Sequence, residues 1–234
     1  MKRLLVFSLI FNVLLASGIA YMMYRLGGWS YALYRFRNSE AGLYTHRKTL
    51  FEKLPERPGA VVMLGDSQTA LCEWQEMLGD SVRVLNRGIS GDYVDGVWGR
   101  LDEVLRHKPL KIFLLIGVND LFFGNKPEAI EARYREIVQK IRRESPGSEL
   151  ILQSVLPVNG AVRSLPAGNA EIKALNARIA QIAKDYALPY VDLYSQLTDV
   201  SGNLSTRFTD DGIHLNGTGY LVWKNELEKM MNDE

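Results

Sequence analysis

The chain has 234 residues, of which 47% are apolar and 24% are charged. This composition is typical of a globular protein with a sizeable core and excludes a disordered chain. The formal net charge is +1, and no basic stripe interleaved with aromatic residues occurs, so we expect no nucleic-acid partner. Cys72 is the single cysteine, which excludes an internal disulfide and a thiolate metal cluster.

The first 25 residues form an apolar segment of their own. Lys2 and Arg3 precede a run from Leu4 to Tyr24 that contains no charged residue. A helix of that length spans about 30 Å, the thickness of a bilayer core. We predict an N-terminal hydrophobic helix that anchors the protein in a membrane. The short N-terminal tail then places the bulk of the chain outside the cytoplasm, in the periplasm of a Gram-negative cell. The alternative is a signal peptide whose cleavage releases a secreted protein.

Residues 26–58 are predicted to connect this segment to a folded domain at 59–234. Gly27 and Gly28 follow the apolar run, and Pro55 and Pro58 precede the domain. Between them lie scattered aromatic and charged residues without strand alternation, which we interpret as a helical connector.

From residue 60 onward, short apolar runs alternate with amphipathic stretches. Runs of the first kind predict five buried strands, at 60–64, 82–86, 111–116, 149–154 and 188–193. Helices are predicted between them, at 68–79, 93–107, 127–144 and 169–187, with a last one after Gly217. This alternation favours an α/β fold in which a parallel sheet has helices on both faces. Right-handed crossovers make a five-stranded flavodoxin-like sheet the natural topology.

Ligands of such sheets bind beyond the carboxyl ends of the strands, and Ser67 follows the first strand directly. The turn into the following helix would expose its hydroxyl as a nucleophile, while its own N–H could face a developing oxyanion. The alternative is that Asp66 or Ser67 only caps the helix. The local sequence favours the cap.

Two further loops could supply hydrogen-bond donors to the same edge. Gly91 follows the second strand, where a backbone N–H without a side chain beside it could donate to an oxyanion. Asn119 follows the third strand, and a side-chain amide is a suitable neutral donor for the same purpose. Read alone, each loop is an ordinary turn.

His214 is the histidine that this topology places at the carboxyl edge of the sheet, after the fifth strand and a loop. Histidine is the usual general base near neutral pH. Asp211, three residues earlier, could hold one ring nitrogen and leave the other free, with Asp210 as a competitor for that role. His46 and His107 are expected to lie in solvent.

The four blocks GDSQT, NRGISGD, GVND and DGIHLN occur in that order between residues 65 and 216. With them the sequence resembles the SGNH, or GDSL-like, hydrolase family, and most of all its bacterial branch related to platelet-activating-factor acetylhydrolase. The resemblance implies a three-layer α/β/α fold and neither cofactor nor metal. It implies catalytic roles for Ser67, Asp211 and His214, and an oxyanion hole formed by Ser67, Gly91 and Asn119. Gln68 departs from the leucine of the GDSL motif.

The expected function is therefore that of a serine esterase acting on a small-molecule, glycan or lipid ester. One such reaction is the O-deacetylation of a glycan. A lysophospholipase or thioesterase, and an O-acyltransferase, would use the same acyl-enzyme. A non-catalytic binding module is disfavoured because all five family residues are present. The sequence alone does not separate the three enzymatic alternatives.

Overall fold

The computed structural model describes residues 2–25 and 41–231, which divide into one unit ending at Thr45 and a larger one beginning at His46. The predicted hydrophobic helix is present as α1 (Lys2–Arg25). A bilayer core needs about 20 consecutive apolar residues in one helix, and across these described residues no helix is long and apolar enough to cross a membrane. The predicted membrane anchor is therefore not supported, and the location outside the cytoplasm stays a prediction.

The predicted connector lies partly outside the described residues, because these exclude 26–40. Of its described part, Ala41–Lys53 form helix α2, whereas residues 54–58 are not helical. The C-terminal part of this helix belongs to the larger unit and packs within it: Phe51 is 3% exposed, and the Arg106 guanidinium donates to the carbonyl oxygens of Phe51 and Leu54 at 2.8 and 2.7 Å. A cation at these last carbonyls is favourable because a helix ends with unpaired acceptors.

The larger unit contains the five-stranded parallel sheet that the sequence predicts. Its strands are β1 (Val61–Gly65), β2 (Val84–Gly88), β3 (Lys111–Leu115), β4 (Glu149–Gln153) and β5 (Tyr190–Val191). They are arranged in the order β2-β1-β3-β4-β5, and every pairing is parallel. This is the flavodoxin-like order, in which the chain reverses direction across the sheet at β1.

Helices cover both faces of the sheet. In chain order they are α3 (Ser67–Ala70), α4 (Trp74–Leu78), α5 (Val94–Trp98), α6 (Leu101–Leu105), α7 (Val118–Phe122), α8 (Pro127–Glu144), α9 (Asn169–Tyr186), α10 (Leu193–Leu197) and α11 (Gly217–Met231). The predicted helices at 68–79 and 93–107 are each divided in two. The second break falls at Gly99, the C-cap of α5, where the low helix propensity of glycine favours an end.

Alternate residues of each strand face two separate hydrophobic cores. Val62 and Leu64 of β1 pack in the core with α8 and α9, whereas Val61 and Met63 pack in the core with α11. Successive strand side chains point to opposite faces, so a strand covered on both sides must be apolar throughout. The three-layer α/β/α architecture follows from this.

His107 is buried, and its prediction as a solvated residue is wrong. Its side chain is fully buried; Nδ1 accepts a hydrogen bond from Arg57 N at 3.0 Å, and Nε2 lies 3.0 Å from Glu103 Oε1. Arg87 of β2 pairs with the same carboxylate at 3.1 Å. Burial lowers the pKa of His107. Charged neighbours suggested a solvated helix end, but here those charges pair with one another inside the protein.

Candidate active site

Close packing at the carboxyl edge of the sheet places the segment that carries Ser67. A Cβ added to Gly65 would lie 2.2 Å from the Leu115 carbonyl oxygen, and one added to Gly88 would lie 2.2 Å from Ala70 N. Both distances are far below any real carbon contact, so β1 approaches β3, and β2 approaches α3, this closely only because these positions lack side chains.

Asp66, rather than Ser67, caps helix α3. Asp66 Oδ1 accepts a hydrogen bond from Gln68 N at 3.0 Å. Ser67 is the first residue of the helix, and its hydroxyl is left to other partners. The sequence left open whether this segment provides a helix cap or a nucleophile. The structure assigns the cap to Asp66 and leaves the hydroxyl of the adjacent Ser67 available for the other role.

Ser67, His214 and Asp211 form a continuous chain of hydrogen bonds. His214 Nε2 lies 3.0 Å from Ser67 Oγ, and His214 Nδ1 lies 2.7 Å from Asp211 Oδ2. The other carboxylate oxygen, Oδ1, accepts from the backbone N–H groups of Ile213 and His214 at 2.9 and 2.8 Å. Burial would raise the pKa of Asp211, but these hydrogen bonds outweigh it and lower the pKa to about 2.

An ionised Asp211 fixes the tautomer of His214. Because a carboxylate only accepts hydrogen bonds, Nδ1 must carry the proton. Nε2 is then an acceptor that faces the Ser67 hydroxyl. This is the arrangement in which a histidine can take a proton from a serine while an acid stabilises the resulting cation.

Gly91 lies in the loop after β2, and Asn119 is the second residue of helix α7, which follows β3. Gly91 has φ +77°, a conformation that residues with a side chain adopt only with strain. Asn119 Nδ2 donates to the Asp92 carbonyl oxygen at 2.8 Å, so one of its two N–H bonds is used and the other remains. Across residues 2–25 and 41–231, the backbone N–H groups of Ser67 and Gly91 donate to no other protein group. These groups form a set of unused donors suited to a developing oxyanion.

A family model described as the GDSL-like lipase/acylhydrolase family matches residues 62–222, a range that contains all five of these residues. The chain belongs to this family. It is an acylhydrolase by that membership, and the five-stranded α/β sheet is the fold of its structural relatives.

Among proteins of known description, this acylhydrolase is 27% identical over 167 residues to thioesterase 1/protease 1/lysophospholipase L1 of Escherichia coli K12, with 67% of this chain and 75% of that protein covered. It is 28% identical over 163 residues to an N-acylneuraminate cytidylyltransferase of Escherichia coli O18:K1:H7. That match covers 68% of this chain but only 37% of the length of the relative.

Among solved structures, a Streptococcus pneumoniae protein described as a platelet activating factor superposes with a TM-score of 0.73 at 28% identity. The match covers 86% of this acylhydrolase and 99% of the Streptococcus protein. The shared architecture therefore extends over nearly the whole of that relative.

Three buried polar side chains of the site were not predicted from the sequence. Gln68 is 2% exposed, and its Nε2 donates to the Ile213 carbonyl oxygen at 2.6 Å. Asp92 and Arg100 form an ion pair at 2.8 Å with side chains 0% and 1% exposed. Asp92 lies in a block whose two glycines beside an acid indicate a turn, and Gln68 is marked in the sequence only as a departure from the GDSL motif. Arg100 lies in a stretch that the sequence predicted as continuous helix.

Two further buried carboxyl groups lie beside the acylhydrolase site. Burial raises the pKa of Asp66 to about 7, and the nearby acids Asp92 and Asp120 add to the shift. Burial likewise raises the pKa of Asp120 to about 7, although a hydrogen bond from Val94 N opposes it. Both groups therefore carry a proton over most of the acidic range, unlike Asp211.

Within the described part of the chain, no group of three or more His, Cys, Asp or Glu side chains could hold a metal ion. The donors at the carboxyl edge are an alcohol, an imidazole, amide N–H groups and a carboxylate already bonded to histidine. They suit proton transfer and oxyanion stabilisation.

Proposed function

We propose that this acylhydrolase cleaves carboxylic esters through an acyl-enzyme on Ser67. The observation that carries the proposal is the hydrogen-bonded chain from Ser67 Oγ through His214 to Asp211, with distances of 3.0 and 2.7 Å. In this geometry one imidazole can serve first as base and then as acid.

In the first step His214 Nε2 takes the Ser67 proton as the oxygen attacks the ester carbonyl. The carbonyl electron pair moves onto the oxygen, where the N–H groups of Ser67, Gly91 and Asn119 stabilise the negative charge. His214 then protonates the leaving alcohol, and the C–O bond breaks. Water repeats the sequence on the acyl-enzyme, releasing the carboxylic acid and restoring Ser67.

We propose a sugar-bound acetyl ester as the substrate class. Two exposed aromatic rings support it: Tyr93 follows Asp92 directly, and Phe123 lies one helical turn after Asn119. The rings lie 6.0 Å apart between centroids and are 41% and 63% exposed. An open aromatic surface suits a ligand with one apolar face and solvated hydroxyls, as a sugar ring has.

A second candidate is a thioesterase or lysophospholipase acting on long acyl chains. Its support is the 27% identity to the Escherichia coli thioesterase 1/protease 1/lysophospholipase L1 over three quarters of that protein. A long apolar chain gains most from an enclosed apolar channel, since about 0.8 kcal/mol accompanies each buried methylene. The two candidates therefore differ in how activity depends on acyl length.

The role of Ser67 is tested by Ser67→Ala, with Ser201→Ala as a control at an exposed serine. We expect the Ser67 variant to lose p-nitrophenyl acetate hydrolysis and covalent labelling by a fluorophosphonate, while the Ser201 variant keeps both. Wild-type turnover in the purified, folded Ser67 variant would overturn the proposal.

The acyl preference is tested with p-nitrophenyl esters from two to sixteen carbons and with acetylated sugars, with and without an acceptor sugar. A sharp preference for acetyl and release of acetate from the sugars support deacetylation. An optimum at long chains supports the second candidate instead. Acyl loss only when the acceptor is present would indicate transfer to sugar and contradict hydrolysis.

A further inference from the structure

One buried guanidinium contacts both the end of strand β1 and the loop after β2. Arg100 Nε donates to Asp92 Oδ2 at 2.8 Å, and Arg100 Nη2 lies 2.8 Å from the same oxygen. Nη2 also donates to the Gly65 carbonyl oxygen at 3.0 Å. The side chains of Arg100 and Asp92 are 1% and 0% exposed, so these contacts are shielded from water.

Both acceptors lie next to residues that supply oxyanion donors. Gly65 is the last residue of β1, two positions before Ser67. Asp92 directly follows Gly91, and its carbonyl oxygen accepts the 2.8 Å hydrogen bond from Asn119 Nδ2. Arg100 thus connects directly or through Asp92 to all three segments that carry the unused N–H groups.

We propose that Arg100 is a positioning residue for the oxyanion hole, acting through Asp92 and the Gly65 carbonyl. The inference rests on the proposed function of Ser67, Gly91 and Asn119. It assigns Arg100 no contact with substrate. Its role is to fix the spacing between donors on three separate segments, and a misplacement of about 1 Å in such a group can cost about 100-fold in rate.

The chemistry of the pair explains why an arginine occupies this position. A planar guanidinium presents several donors in a fixed fork and can hold a carboxylate and a carbonyl at once. Burial raises the pKa of Asp92, and the positive charge of Arg100 opposes that shift. A lysine would keep the charge but could not reproduce both directions of hydrogen bonding.

The test compares Arg100→Met and Arg100→Lys with Arg87→Met. Arg87 provides a matched control because it also forms a buried ion pair, with Glu103 at 3.1 Å and side chains 4% and 3% exposed. Each full-length variant is assayed on p-nitrophenyl acetate, with active enzyme counted by fluorophosphonate labelling run to completion, and its Tm is measured.

For Arg100→Met we expect kcat per labelled site to fall about 10- to 100-fold with KM changed less than about 3-fold, since oxyanion stabilisation acts on the transition state. Arg100→Lys should recover part of the lost kcat. Arg87→Met should lower Tm while its kcat per labelled site stays near that of the wild type.

If Arg100→Met and Arg100→Lys keep wild-type kcat per labelled site, or lose it only as much as Arg87→Met does, the inference is wrong. Should Arg100→Met fail to fold, Asp92→Asn provides the same comparison, because it removes the charge and keeps the backbone carbonyl. A wild-type enzyme that neither labels nor hydrolyses esters would instead overturn the proposed function itself.

Discussion

Gln68 Nε2 donates a 2.6 Å hydrogen bond to the carbonyl oxygen of Ile213. The contact joins the residue after the nucleophile to the residue before the histidine, although 145 positions separate them in the chain. Tyr220 of α11 adds a second connection by donating to the Gln68 carbonyl oxygen at 2.8 Å. The position where this chain departs from the GDSL motif therefore holds the two catalytic loops together.

Replacing Gln68 with the leucine of the motif should weaken that connection. We expect Gln68→Leu to lower kcat about 3- to 30-fold, because the buried Ile213 carbonyl loses a partner worth about 1–3 kcal/mol and the histidine loop can shift. Gln139→Leu is the control, since that glutamine bonds Tyr186 at an exposed site. Unchanged kcat and unfolding free energy in Gln68→Leu would show that the loops are held by other contacts.

The carboxylate of Asp211 should support catalysis by keeping the proton of His214 on Nδ1. In Asp211→Asn the side-chain oxygen can still accept from the backbone, but the NH₂ group would face Nδ1 and force the proton onto Nε2. We expect kcat to fall about 100- to 10,000-fold with little change in KM. Asp210→Asn, at the exposed neighbouring position, should keep kcat within about 3-fold of the wild-type value. A larger loss of kcat in this variant would assign the orienting role to Asp210.

The parts of the site that the sequence predicts are those that topology alone brings together. Ser67, Gly91 and Asn119 each follow a buried strand, and parallel strands end at one edge of the sheet. His214 joins them because it follows the last strand. The order of the five strands was also predictable, because it follows from the strand–helix alternation and right-handed crossovers. The length of β5 was not: only Tyr190–Val191 form a strand, and the pairing of so short a strand depends on tertiary packing.

The residues that the sequence did not reveal act through contacts between distant segments. Arg100 lies 35 positions from the Gly65 carbonyl that it bonds, and nothing in a helical pattern marks a side chain for such a partner. The error at His107 has the same origin, because its partners Arg87 and Arg57 lie 20 and 50 positions away in the chain. Long-range polar pairing inside a core is set by packing rather than by periodicity.

The side-chain amide of Asn119 should contribute to transition-state stabilisation alone. We expect Asn119→Ala to lower kcat about 100-fold, since loss of one oxyanion donor costs about 100- to 1,000-fold where measured. KM for p-nitrophenyl acetate should change little. Asn125→Ala, in the exposed turn before α8, is the control. A pure KM effect in Asn119→Ala would place this amide on the ground-state substrate instead.

The close approach of α3 to β2 should make Gly88 intolerant of any side chain. A Cβ at Gly88 would lie within 2.6 Å of both backbone N and Cα of Ala70, so the helix bearing Ser67 would have to move. We expect Gly88→Ala to lower the free energy of unfolding by about 1–3 kcal/mol or more. At Gly160 no atom of the described residues, its own chain neighbours aside, lies within 4 Å of the added carbon. Gly160→Ala should therefore change the free energy of unfolding by less than about 0.5 kcal/mol in urea denaturation.

The buried carboxyl of Asp66 should make stability fall as the pH rises. Its pKa is raised from 3.8 to about 7, so between these values the folded state holds a proton that the unfolded state has released. Stabilisation is fully present below pH 3.8 and is lost as the pH passes 7.

Asp66→Asn keeps an oxygen for the Gln68 N–H and cannot ionise. Relative to Asp66→Asn, the wild type should therefore lose on the order of 2 kcal/mol between pH 5 and pH 8. Asp120 is present in both proteins, so its own titration is common to the two measurements. Urea denaturation at the two pH values measures this difference in unfolding free energy. Asp80→Asn, at an exposed position, is the control. Equal pH dependence in wild type and Asp66→Asn would show that Asp66 titrates as an ordinary acid.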